Sequence, residues 1–143
     1  MADFAEQRAV VRELAAYVRE TCGDRADVSV SELRDHPITV VEVDPRARGA
    51  LPIDIIGEQF LVVGVGRMAR WEFDYTTDDI DRVRDIIDAV INGRGNEWSH
   101  GGIELELSNG DTASSFRPDR WLAGIARFPL RRPVAAPRRI QPY

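Results

Sequence analysis

Apolar side chains at Phe4, Val11, Leu14, Val18 and Cys22 recur at steps of seven, three, four and four, between positions that are mostly charged or small. That spacing puts them on one stripe of a helix over residues 3–22, which Gly23 can end. The pattern then loses clear periodicity from Asp24 to Pro37, where a short strand over 27–30 and a turn of helix over 31–35 both fit. Ile38 to Val43 is a β-branched run closed by Asp44-Pro45, the composition of a strand followed by a turn. Pro52 to Ile56 and Gln59 to Val65 predict two more strands hinged at Gly57-Glu58, with a further turn near Gly64 to Gly66. Next, Ala69, Trp71, Phe73 and Tyr75 alternate with Met68, Arg70, Glu72 and Asp74, the period-two signature of a strand with one buried face.

A second helix is expected over 77–92. Thr76 and Asp79 have capping-box spacing, the first turn is acidic, and Ile80, Val83, Ile87, Val90 and Ile91 share one face ahead of Gly93. Ile103, Leu105 and Leu107 alternate with Glu104 and Glu106, and Asn109-Gly110 predicts a type I′ turn returning the chain to Phe116. Pro118 can open a short helix to about Ala126, burying Trp121, Leu122 and Ile125. The fold class that follows is α+β: a mostly antiparallel sheet of five or six strands with two main helices packed on one face. The domain spans 1–126, and 127–143 reads as a basic, proline-rich tail that is extended or loose by default.

Charge changes this picture. All 24 carboxylates of the 143-residue chain lie at or before Asp119, and six of its 19 arginines follow it, so the body carries −11 and the last 24 residues +6. An acidic body disfavours nucleic acid and anionic membranes, whose binders present a basic folded face. Every basic residue is arginine. A single cysteine, Cys22, excludes an intrachain disulfide and a thiolate zinc cluster, and neither a cofactor nor a metal is implied. With no signal-peptide pattern and no apolar run long enough to span a bilayer, a cytoplasmic location is expected.

Three groups of residues could carry chemistry. Gly64-Val65-Gly66-Arg67-Met68-Ala69 matches a dinucleotide fingerprint in letters, but that loop needs a helix after it, and a strand pattern follows; a hairpin turn is the better reading. Glu72 and Asp74 share one strand face and Glu104 and Glu106 another, either as paired acids or as the wet face of a sheet. The loop from Asn92 to Gly102 is polar and glycine-rich, and Glu97, Trp98, Ser99 and His100 offer a carboxylate, an aromatic platform, a hydroxyl and an imidazole. His36 is remote from them, and no complete catalytic constellation is found.

The Trp71-Glu72 strand, the helix from Thr77 to Asn92-Gly93-Arg94 and the hairpin Ile103 to Ser108 with Asn109-Gly110 together resemble small actinobacterial α+β proteins of the toxin-immunity type. The resemblance is one of pattern over about residues 38–116. It implies an acidic single domain that binds and blocks a cytotoxic partner, with electrostatic complementarity giving fast encounter. No functional residue carries over. The expectation is a non-enzymatic, acidic protein-binding module of immunity or adaptor type, with a basic toxin or enzyme as partner and Glu72, Asp74, Glu104 and Glu106 as contact residues. The alternative is a small enzyme or ligand-binding protein with its site at the 92–102 loop.

Overall fold

The computed structural model describes residues 3–116 and 136–143. Its centre is an antiparallel meander of five strands in chain order: β1 (Ala26–Glu32), β2 (Thr39–Pro45), β3 (Ile53–Gly57), β4 (Leu61–Val65) and β5 (Ala69–Phe73). The register carries one row of side chains across the sheet, Val30, Val41, Ile55, Val63 and Trp71, and a parallel row of Val28, Val43, Ile53, Val65 and Ala69. The central members of both rows are fully buried. Helix α1 (Phe4–Cys22) covers this face over β1, β2 and β3. Asp3 caps it, and Val11, Leu14, Ala15, Val18 and Cys22 point into the core.

Phe4 does not join that stripe; it is 55% exposed, because the helix meets the sheet only from Gln7, its first buried residue, onward. Of the two forms that fit residues 27–35, the strand is present and the helical turn is not. Strand β1 keeps its pairing through Glu32↔Thr39, and the Leu33 N–H donates to the Ile38 carbonyl at 3.2 Å.

Helix α2 (Thr77–Ile91) starts where the Thr76 hydroxyl accepts from the Asp79 N–H at 3.2 Å. Val83, Ile86, Ile87, Val90 and Ile91 are fully buried. It ends in a Schellman motif: the Gly93 N–H donates to Val90 O and the Arg94 N–H to Ala89 O, with Gly93 at φ +66°. Beyond it lies a second antiparallel sheet, ordered β8-β7-β6-β9, from β6 (Gly95–Glu97), β7 (Ile103–Glu106), β8 (Thr112–Ser115) and β9 (Arg138–Arg139). The α+β class and the antiparallel sheet with helices packed on it are as the periodicity implies; the second sheet adds to them. The Asn109-Gly110 turn differs in type. Only Gly110 has positive φ, +87°, and its N–H donates to Leu107 O, which makes a type I turn with a glycine bulge. The Asn109 side chain fixes this form by accepting from the Asp111 N–H at 2.9 Å.

The last residues of the chain are docked rather than loose. Strand β9 pairs with β6, Ile140 is 3% exposed in the core, and the Tyr143 hydroxyl donates to Leu51 O at 2.6 Å. Two arginines of the basic segment lie across acidic neighbours, Arg138 on Glu97 and Arg139 on Glu106. The short helix expected over 118–126 lies outside the described residues. Among the described residues no helix is long and apolar enough to cross a membrane.

Candidate functional site

Two places gather the residues singled out from sequence. The first is the β5 end of the large sheet. Alternation turns Ala69, Trp71 and Phe73 inward and leaves Arg70, Glu72 and Asp74 exposed. The Asp74 N–H donates to Asp79 Oδ2 at 3.1 Å, which draws the first turn of α2 up against the strand end. A shallow depression of about 370 Å³ results, lined by Phe60, Glu72, Phe73, Asp74 and Asp79. Three carboxylates thus line the depression together with Phe60, which is 40% exposed, and among the described residues no cation lines it.

Glu104 and Glu106 stand apart from this group, on β7 of the small sheet. Glu104 is half-buried between Asn96 and Ser114 in the register. Glu106 receives both ends of the Arg139 guanidinium, at 3.0 and 3.2 Å, and this fork holds its carboxyl below the ordinary carboxylate value. No hydrogen bond or ion pair joins the two acidic pairs among the described residues. The sheets meet instead where the Ser115 hydroxyl accepts from the Arg70 N–H at 3.0 Å and donates to the Arg70 carbonyl at 3.2 Å.

The second place is a cleft of about 400 Å³ lined by all four residues of the expected ligand loop, Glu97, Trp98, Ser99 and His100, together with Arg67 and Arg138. Residues 95–97 of that loop are strand β6. The rest is a tight turn, closed by Trp98 N–H to Gly102 O and Gly101 N–H to Trp98 O, each at 2.9 Å. Trp98 packs edge-on against Phe116, with ring centroids 5.1 Å apart. His100 Nδ1 accepts from the Gly102 N–H at 3.1 Å, so the neutral ring carries its proton on Nε2. Glu97 is paired with Arg138 at 3.0 Å. Among the described residues no hydrogen bond links His100 to a carboxylate or hydroxyl, and no three His, Cys, Asp or Glu side chains converge as metal ligands.

The fingerprint-like Gly64-Val65-Gly66 has a different purpose. Gly64 lies within β4, Gly66 turns the chain, and β5 rather than a helix follows. No family model matches the chain. Nor does any curated protein or solved structure.

Residues outside the sequence expectation also belong to the acidic end. Phe60 and Asp79 are brought there by the approach of α2, while Glu42 and Asp54 are cross-strand neighbours on β2 and β3 in an adjoining row of the same face, which strand-by-strand alternation does not report. The available signal was parity: Val40 alternates with Val41, and Ile56 with Ile55, inside continuous apolar runs.

Proposed function

We propose that this chain is a non-enzymatic, acidic protein-binding module of immunity or adaptor type, acting in the cytoplasm on a partner with a basic surface such as a toxin or enzyme. One observation carries the reading: Phe60, an exposed aromatic, shares a depression with Glu72, Asp74 and Asp79, and among the described residues no cation lines it. An exposed aromatic beside several like charges is a natural anchor for a partner of opposite sign. The net charge of −5 would steer such a partner in at long range. Glu106, neutralised by Arg139, contributes less to this field than Glu72 and Asp74.

The test is affinity capture from native lysate with the full chain and with a Glu72→Arg, Asp74→Arg variant, each at low and high salt. The expected result is a stoichiometric, salt-sensitive protein partner that the variant loses. Equal capture by both proteins removes this surface. A second reading, a small-ligand site, draws on the cleft that collects Glu97, Trp98, Ser99 and His100. Co-purification of a small molecule alone would favour it and set the first aside.

A further inference from the structure

On the side of the large sheet away from the helices, Val40, Ile56 and Val62 are successive cross-strand neighbours on β2, β3 and β4, with Ser31 beyond them on β1 and Glu72 on β5. All three are only partly buried. The next row is Ser29, Glu42, Asp54, Gly64 and Arg70. At the other border Leu33 and Phe60 are exposed at 49% and 40%. With strands about 4.8 Å apart, three adjacent residues make an apolar strip about 10 Å across. An α-helix with its side chains has about that diameter. Single exposed apolar residues need no explanation, but a contiguous strip with a polar rim, on a sheet face that no described element covers, is what a docking site presents.

The rim says what fits. Glu42, Glu72 and Asp74 make no ion pair among the described residues, and the Asp54 charge is met by Arg70 at 3.4 Å. We propose that this face docks an amphipathic helix of the partner protein, with its apolar stripe on Val40, Ile56 and Val62 and flanking arginines or lysines against Glu42, Glu72 and Asp74. The proposal rests on the protein-binding reading above and names the form of the partner. Burial of the strip supplies attraction that salt does not weaken, and the rim supplies rate and orientation. A second copy of this chain would bring one carboxylate rim against another, and a phosphate-bearing surface would meet the same repulsion.

The test uses the full chain, isotope-labelled for NMR, and a synthetic helical peptide with leucines on one face and arginines on both flanks. A control peptide carries glutamate in place of each arginine. The arginine peptide is expected to shift the amides of Val40, Ile56, Val62 and Glu72, and the glutamate peptide to shift none. The V40T/I56T/V62T variant keeps β-branched geometry and is expected to bind at least about tenfold more weakly with its salt dependence retained. Glu72→Gln with Asp74→Asn is expected to flatten the salt dependence instead, and it serves as the second variant should the threonine protein fold poorly. Absence of binding, shifts confined to α2 or to the Trp98–Gly102 turn, or parental affinity in the threonine variant would each overturn the docking face. In those cases partner capture that still responds to charge reversal leaves the acidic-module reading standing, and capture that does not respond removes both.

Discussion

Arg70 reaches Asp54 by crossing over an intervening strand, and what lets it cross is the absence of a side chain at Gly64. The three residues are consecutive in the register, and a Cβ on Gly64 would run into both the Arg70 guanidinium and the Asp54 carboxylate. Gly64→Ala is therefore expected to break the pair. Because Arg70 and Asp54 are partly exposed and the obstructing atoms lie at the end of a flexible side chain, the loss should be no more than about 1 kcal/mol. Urea denaturation checks this through a double-mutant cycle. In an Arg70→Ala background the same Gly64→Ala change should cost nothing or stabilise slightly, since alanine is the better strand residue. An equal cost in both backgrounds would place the glycine requirement in the backbone.

Among the elements, the last strand carries the clearest division of labour. Arg139 holds an exposed ion pair, whereas Ile140 fills the core beside Gly93, where an added Cβ would meet the Ile140 carbonyl at 2.8 Å. Arg139→Ala should thus leave stability nearly unchanged, and Ile140→Ala should cost about 2–4 kcal/mol. Chemical denaturation of the two variants separates them, and similar losses would mean that the ion pair dominates.

Neither β9 nor β6 is legible in the sequence. Arg138-Arg139 and Gly95-Asn96-Glu97 have no strand propensity, and they are strands because β6 is held between β7 and β9 while Ile140 is buried. Helices α1 and α2 and strand β5 are legible because each presents one face to the core, so its period appears directly in the residues. The polar loop at Trp98 to His100 can be located by composition. The strip of Val40, Ile56 and Val62 cannot, because an apolar run hides which parity faces outward until pairing fixes it.

For the molecule as a whole, alkaline pH is the condition that its buried groups oppose. All three tyrosines have raised pKa values. Burial and the 2.6 Å hydrogen bond to Asp88 push Tyr17 up to about 12, and burial leads for both Tyr75 and Tyr143. Burial also raises the Cys22 thiol. An unfolded phenol loses its proton near pH 10, and the folded chain retains it to higher pH. The stability from the phenols is therefore complete below about pH 10 and falls as pH rises beyond it, and that from the Cys22 thiol begins to fall from about pH 9. In a titration followed at the tyrosinate absorbance, the native chain should show clearly less phenolate at pH 10 than the chain unfolded in urea, and its later rise should coincide with loss of circular dichroism. Equal phenolate in the two states at pH 10 with the fold intact would contradict the burial assigned to these rings.

The meander and the small sheet also differ in how their partners meet. Each strand of the meander finds its mate in the next segment of chain, while β9 must return to Glu97 across 41 positions and Tyr143 to Leu51 across 92. Closing such long loops is slow, so the five strands can assemble early and the β6–β9 pairing late. The same order, run backward, sets the hierarchy of local opening. Amides on β3 and β4 should exchange with solvent only on global unfolding, whereas the two-residue β9 ladder can detach on its own and carry Arg138 away from Glu97. Among the described residues, one wall of the Trp98 cleft is therefore the part that forms last and opens first.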